Sequence, residues 1–329
     1  MKITFPPSLK FAMLPTPIER LKRIPELSDE FKLFIKRDDL TGFALSGNKV
    51  RKLEFLVWEA LNKKCDTLIT CGGAQSNHAR ATAIIAAQLG LKPYLVLFRD
   101  EKPKTDGNLF LDKLTNAEIK YISSEEYKYV DDIMEEERVK LKKRGNEGYV
   151  IPEGGSNALG IWGYIKAAFE MKSQLDKMNL KVDSIVTAVS SGGTYAGLYL
   201  GAKLSNWKVQ IIGFNIRETA QIATERIWNL VWENLDRYKF DIKVNRDEIL
   251  VIDGYVGKGY GLNRKVELDF IKSVAKNSGI ILDPVYSGKA LFGLVDQMKK
   301  GGFSKKDKIL FLHTGGGFGL FPIKEKLFR

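Results

Sequence analysis

Along most of the chain, short β-branched and apolar runs alternate with segments whose apolar residues recur at helical spacing. The strand-like runs are DTLITCGG (66–73), PYLVLF (93–98), AEIKYI (117–122), GYVIPEGG (148–155), DSIVTAVSSGG (183–193), KVQIIGFNI (208–216), EILVIDGY (248–255), GIILDP (279–284) and KILFLHTGGG (308–317). Between them, Val50, Leu53, Val57 and Leu61 mark one helical face, and Ile84, Ala87 and Leu91 another. Apolar positions three and four apart share a side of a helix, whereas short continuous runs suit buried strands. Segment 123–145 opens acidic and closes basic, as the helix dipole favours. This alternation predicts an α/β class: open, twisted, mostly parallel sheets with helices on both faces.

No linker rich in Pro, Gly and Ser divides the chain, so beads on a string are not expected. Four strand signals between 66 and 155 could close on themselves. The expected organisation is a smaller α/β domain at 50–161 inserted in a larger one built from 1–49 and 162–329.

Composition narrows the function classes. The 329 residues are 44% hydrophobic and 28% charged, an ordinary globular mixture that excludes disordered and fibrous chains. Lys and Arg total 52 against 40 Asp and Glu, a formal charge of +12. The basic residues are interspersed with acidic ones, as in EEERVKLKKR, so no nucleic-acid partner is expected. No apolar run approaches the ~20 residues of a membrane span. The opening MKITFPPSLKFAMLPTP carries prolines where an export signal needs a continuous apolar stretch. With only Cys65 and Cys71, a disulfide framework is ruled out and the cytoplasm is the expected compartment. Only His78 and His313 are present, so no metal is expected.

The chemistry lies in glycine-rich turns. In open α/β sheets, ligands bind beyond the carboxyl ends of the strands. Here ITCGG leads into AQSNHARATA, TAVSSGG into TYAGLYLGA, and FLHTGGG into FGLF. Each turn can set backbone N–H groups around an anion at a helix start, or can simply permit a tight bend. Three of them in one chain favour a phosphate-bearing ligand. The dinucleotide pattern G-x-G-x-x-G is missing, and YSGKA ends in Ala290 where a Walker loop needs Ser or Thr. A compact monophosphate fits SSGGT better, with the hydroxyls of Ser190, Ser191 and Thr194 beside Gly192 and Gly193.

Lys49 follows Ser-Gly-Asn and precedes an amphipathic helix that Ser46 or Asn48 could cap. At a helix start the dipole disfavours an ammonium, and a neutral amine is what Schiff-base chemistry needs. The neighbouring Arg51 and Lys52 equally suit a solvated basic face.

Taken together, LPTPIERL (14–21), IKRDDLTGFALSGNKVRKLEFL (35–56), TCGGAQSNHARATA (70–83), SSGGTYAG (190–197), YVGKGYG (255–261), DPVYSGKA (283–290) and HTGGGFGLF (313–321) resemble a known pattern. It is that of the pyridoxal-phosphate-dependent 1-aminocyclopropane-1-carboxylate deaminase / D-cysteine desulfhydrase family, of the tryptophan-synthase-β type. The motifs occur in order and span nearly the whole chain. The resemblance implies a fold-type II pyridoxal 5'-phosphate (PLP) enzyme, a lyase acting on a small amino acid, and a homodimer.

It also implies roles. Lys49 would hold the cofactor covalently and move the Cα proton. Ser190, Ser191, Gly192, Gly193 and Thr194 would cradle the phosphate. Asn77 would hydrogen-bond the phenolic oxygen, and Thr314 would face the pyridine nitrogen. Gln75, Ser76 and His78 would receive the substrate carboxylate. Tyr260 and Tyr286 would flank the reacting atoms. Plainer roles compete: Ser76 and Asn77 as helix caps, His78 as a buried satisfied histidine, the two tyrosines as packing aromatics. Asp38 and Asp39 are expected to order the loop before Lys49, Cys71 to fill core, and His313 to shape its glycine turn.

The family's deaminase pattern has a glutamate after the tyrosine of DPVY and a leucine before the last glycine turn. Ser287 and Thr314 stand there, as in the desulfhydrase pattern. A hydroxyl leaves the cofactor ring a weaker electron sink, which suffices to expel a good leaving group such as thiolate. The expected reaction is β-elimination from D-cysteine to pyruvate, hydrogen sulfide and ammonia. The alternatives are ring opening of 1-aminocyclopropane-1-carboxylate to 2-oxobutyrate and elimination from cysteate or D-serine derivatives. A non-catalytic amino-acid or PLP-binding protein is the reading from another class.

Overall fold

The computed structural model describes residues 3–99 and 103–328. In chain order the elements are β1 (Ile18–Arg20), β2 (Lys32–Arg37), α1 (Lys49–Asn62), β3 (Thr67–Gly73), α2 (Asn77–Gln88), β4 (Lys92–Phe98), α3 (Gly107–Leu114), β5 (Glu118–Ile122), α4 (Val130–Lys143), β6 (Gly148–Val150) and α5 (Trp162–Lys177). There follow β7 (Ser184–Val189), α6 (Gly193–Leu204), β8 (Gln210–Asn215), α7 (Ala220–Tyr238), β9 (Leu250–Ile252), α8 (Lys265–Ser278), α9 (Ser287–Lys299), β10 (Lys308–His313) and α10 (Lys324–Leu327).

The strands form two sheets. One has the order β1-β2-β10-β7-β8-β9 and the other β5-β4-β3-β6. Every pairing is parallel except that of β1 with β2. Parallel strands need crossover connections, and helices supply them on both faces. On the larger sheet, α8 and α9 bring Phe270, Val274, Leu291 and Leu294 against Leu33, Ile35, Ile309 and Phe311. Its other face packs on the helices α1, α5, α6 and α7, with Leu53, Ile165, Leu198 and Ile227 at the centre. On the smaller sheet, α4 covers Ile69 and Val96 with Met134 and Leu141, while α2 and α3 cover Leu95 and Leu97 with Ala79, Ala83 and Leu109. The class, the parallel sheets and the two-sided helical cover agree with the sequence expectation.

Local expectations fared unevenly. Segment 279–284 is not a strand. Its alternation is real, with Ile280 and Leu282 buried and Ile281 half exposed. It follows the left-handed C-cap Gly279, however, and the Ile281 carbonyl accepts the His313 ring N–H rather than a ladder bond. The antiparallel edge β1–β2 had no counterpart among the predicted strands, because charged residues interrupt KLFIKR and IER. Ala87 is exposed and Leu91 lies beyond the end of α2, whose Asn77–Ala86 stretch is buried all round. A helix buried on every side has no single apolar face to detect.

β7 and β10 are neighbours in the larger sheet. The turns that leave their carboxyl ends, 190–194 and 314–317, therefore sit at the same edge.

Candidate active site

At that edge a cleft is lined by Asn48, Lys49, Asn77, Ser190, Ser191, Gly192, Thr194, Tyr286 and Thr314, together with Ala188, Val189 and Tyr195. Residues expected from five separate motifs thus meet in one place.

Lys49 is the first residue of α1, and the loop before it is tightly bonded. Gly47 N–H donates to Thr41 Oγ1 (2.8 Å), Ser46 Oγ donates to the Asp39 carbonyl (2.7 Å), and Asn48 N–H donates to the Thr314 carbonyl (3.1 Å). Asn48 Nδ2 donates to Thr194 Oγ1 (2.9 Å). Neither Ser46 nor Asn48 caps α1 with its side chain, contrary to expectation, because both are engaged across the site. Two residues on, buried Arg51 donates to Asp38 (Nε, 2.8 Å) and to Glu170 (Nη1, 2.9 Å). Tyr164 and Thr16 also donate to Asp38. Asp38 thus orders the loop before Lys49, while Asp39 pairs with Arg37. A buried charge network with every partner in place is rigid, so it fixes the start of α1.

Burial pushes the Lys49 amine down to about 8, against the opposing pull of Glu153 and Asp283. Its Nζ lies 5.8 Å from the centre of the Tyr286 ring. A fraction of Lys49 is therefore already a free-base nucleophile near neutral pH.

Lys52, one turn along α1, is a candidate functional residue that sequence reasoning missed. It is buried, and its Nζ donates to the Gly154 carbonyl (3.0 Å) and to Ser156 Oγ (3.0 Å). Ser156 in turn bonds Ser191 Oγ (2.9 Å). The position of Gly193 explains why the turn needs glycine: a Cβ there would stand 2.4 Å from Ser156 Oγ and 2.7 Å from Lys52 Nζ. Burial, and then the charge of Lys49, lower the Lys52 amine well below the usual lysine value. That amine, three hydroxyls and the open N–H groups at the start of α6 converge on one spot. This donor set fits a phosphoryl group, and Lys49 on the same helix fits the aldehyde of PLP. The signal available in the sequence was the Lys49–Lys52 spacing of three, which places both amines on one helical face.

Tyr286 precedes α9, and its hydroxyl hydrogen-bonds that of Tyr260. The Tyr260 ring also lies near Phe98, 6.2 Å between centroids, and near the guanidinium of Arg217, at 5.8 Å. Arg217 holds Glu153 with two bonds of 2.7 Å. Desolvation raises the Tyr260 hydroxyl to about 12, the bond to Tyr286 pulling the other way. Tyr260 thus reaches the site through Tyr286. Asn77 is oriented by Asn108, whose Nδ2 donates to its Oδ1 (3.0 Å).

Six expected residues do not line the cleft: Gly193 and Tyr260, placed above, and Ser76, Gln75, His78 and Ser287. Ser76 caps α2, its Oγ accepting Ala79 N–H (3.1 Å). Gln75 bridges the Asp106 carbonyl and the Asn108 N–H. His78 is buried, bonds Thr70 Oγ1 (2.9 Å), and is kept neutral by desolvation and then by the charges of Lys49 and Lys52. The Ser287 hydroxyl turns back to Asp283 (2.6 Å), whose carboxylate also accepts the N–H groups of residues 285–287. His313 accepts Gly315 N–H and shapes the last glycine turn. Cys71 is core.

The description "Pyridoxal-phosphate dependent enzyme" names the family that matches residues 9–315. The chain is 45% identical over 330 residues to a bifunctional D-cysteine desulfhydrase/1-aminocyclopropane-1-carboxylate deaminase, mitochondrial, of Arabidopsis thaliana, covering 97% of this chain and 80% of that protein. A Thermotoga maritima protein with the provisional name 1-aminocyclopropane-1-carboxylate deaminase is 42% identical, covering 97% of this chain and 99% of that protein. The crystal structure of an ACC deaminase homologue superposes with a TM-score of 0.87 at 38% identity, covering 98% of this chain and 96% of that one. No helix among the described residues is long and apolar enough to cross a membrane. With its lysine at a helix start beside a donor set that fits a phosphoryl group, and with these relatives, the chain belongs to the pyridoxal-phosphate-dependent enzymes, in the 1-aminocyclopropane-1-carboxylate deaminase / D-cysteine desulfhydrase family.

Proposed function

We propose that this enzyme eliminates hydrogen sulfide from D-cysteine, so that D-cysteine and water give pyruvate, hydrogen sulfide and ammonia. The observation that carries the reading is the polarity of the cleft: among the described residues lining it there is no carboxylate. The acid nearest in sequence to Tyr286, Asp283, is consumed by capping α9. Thr314, a hydroxyl, stands at the cleft instead.

When bound, PLP withdraws electrons from the substrate's Cα and so acidifies its proton. The protein does the rest. Lys49, uncharged, takes the Cα proton. Lys52 and the turn of Ser190, Ser191, Gly192, Gly193 and Thr194 would hold the phosphate. Asn77 would donate to the phenolic oxygen through its amide nitrogen, Asn108 taking its Oδ1. Thr314 would offer the pyridine nitrogen a hydroxyl rather than a carboxylate. The substrate carboxylate rests at the start of α2, where Ser76, its oxygen accepting from Ala79, keeps its own O–H to donate. Gln75 and His78 shape that loop rather than touching substrate, and Ser287 holds Asp283 and α9 in place. Tyr286, supported by Tyr260, gives the proton that leaves with sulfur.

The relatives' names support equally a second reading, ring opening of 1-aminocyclopropane-1-carboxylate to 2-oxobutyrate and ammonia. Incubation of the purified holoenzyme with D-cysteine, L-cysteine and 1-aminocyclopropane-1-carboxylate, scored for sulfide and for each keto acid, separates the two. Sulfide and pyruvate from the D-enantiomer are expected. 2-Oxobutyrate without sulfide would replace the first reading by the second.

A further inference from the structure

The lysine of YSGKA, which does not belong to a Walker loop, has an unusual setting. Lys289 is the third residue of α9 and its side chain is fully buried. The start of a helix is electrostatically the wrong place for an ammonium. Its Nζ nevertheless donates to three main-chain carbonyls of one loop: Val256 (2.6 Å), Gly259 (2.8 Å) and Leu262 (2.8 Å). All three donors of the ammonium are thereby used. The loop curls around that point because Gly257, Gly259 and Gly261 adopt φ of +68°, +133° and +71°. Tyr260 sits at the centre of this loop, and Tyr286 lies one turn before Lys289 at the start of the same helix. The end of the loop is tied to the same region by Asn263 Nδ2, which donates to the Pro284 carbonyl (2.6 Å).

We propose that Lys289 is a positioning residue that fixes the Tyr260 loop to α9 and so sets the Tyr260–Tyr286 contact, and that the three carbonyls it fills form a latent site for a monovalent cation. Carbonyl dipoles converging at these distances replace the hydration shell of a potassium ion, and an ammonium ion has the same charge and similar size. Removing the side chain leaves those dipoles aimed at one point without a cation, at a cost comparable to leaving buried acceptors unmade. The loop then loses its reference to α9, and Tyr260 drifts from Tyr286. The link to turnover rests on the reading that the tyrosine pair faces the reacting atoms; the cation site does not.

The test uses Lys289→Ala and Lys289→Met holoenzymes, each alone and with Tyr260→Phe. A displaced proton donor should lower kcat by about tenfold to a hundredfold while KM changes by less than about threefold. In the Tyr260→Phe background the same substitutions should change kcat less than about threefold, since the group they act through is gone. Independently of any substrate, the melting temperature of Lys289→Ala should rise by a few degrees with potassium or ammonium chloride and not with tetramethylammonium chloride, wild type being indifferent. An equal kcat loss in both backgrounds, or unchanged kcat in the single variants, overturns the positioning role. A melting temperature blind to potassium and ammonium overturns the cation site. Absence of turnover in wild type would count against the functional reading alone, leaving the melting comparison to decide the cation site. Should Lys289→Ala not fold, Lys289→Gln, which keeps two donors, should lose less activity than Lys289→Met; equal loss would likewise refute the role.

Discussion

The Lys49 amine stands 5.8 Å from the ring centre of Tyr286, whose hydroxyl shares a hydrogen bond with that of Tyr260. The amine and the tyrosine hydroxyl, for which base and acid roles are proposed, thus sit at two helix starts, α1 and α9, that line the same cleft. Both helices are anchored from behind, α1 by Arg51 on Asp38 and Glu170, α9 by Asp283 across its first turn.

Lys49→Ala should lose borohydride-fixable PLP, seen as absence of the cofactor mass after reduction, and activity should fall at least ~10³-fold. Full covalent attachment in this variant would move the reactive amine to another lysine.

The lowered Lys49 amine predicts a pH dependence. An amine attacks an aldehyde only when unprotonated, and burial brings that state in above about 8 rather than at the usual lysine value. The rate of PLP attachment to apoprotein, followed by stopped-flow absorbance, should rise with pH and level off just above about 8. A rate still climbing at about pH 10 would mean an ordinary, solvated lysine.

Lys52→Met should weaken PLP binding about tenfold to a hundredfold, the worth of a charge-assisted hydrogen bond. Binding of pyridoxal, which lacks the phosphate, should be unchanged. Titration calorimetry with both ligands on apoprotein checks this, and equal losses for the two would take Lys52 out of the cradle.

Tyr286→Phe should lower kcat about a hundredfold with PLP retained, as expected for loss of a general acid. Steady-state kinetics and the cofactor spectrum test this together. Unaltered kcat would make the tyrosine pair a packing feature.

Asp112, on α3, is buried, and neither carboxylate oxygen meets a hydrogen-bond donor among the described residues. Desolvation raises its carboxyl to about 8, Arg80 opposing. An unfolded aspartate titrates near about 4, so between about 4 and about 8 the folded chain keeps a proton that the unfolded chain has lost. This group's contribution to stability therefore falls as pH rises through that window. Asp112→Asn should gain on wild type in thermal melts between about pH 5 and about pH 9. A difference independent of pH would show that Asp112 is ionised throughout.

What the residues determined by themselves is what local spacing encodes. The helix starts at Lys49 and Asn77, the glycine turns after β7 and β10, and the parallel α/β class all follow from periodicity and turn chemistry within short windows. The edge pair β1–β2 was missed because charged residues interrupt its apolar pattern, and the run at 279–284 was misread because its course depends on the Gly279 cap and on His313, not on its own alternation. Tertiary structure alone decided the rest of the site. Lys52 becomes a phosphate ligand candidate only because Gly154 and Ser156, about a hundred residues on, arrive beside it. Ser287 turns to Asp283 and Gln75 to Asn108 because buried donors and acceptors must find partners, and the available partners are a matter of packing. Lys289 acquires its meaning from three carbonyls that curl toward it only in the folded loop. Propensity and spacing act over a turn or two of chain, whereas burial, which shifts the Lys49 amine and silences His78, exists only once the core has closed.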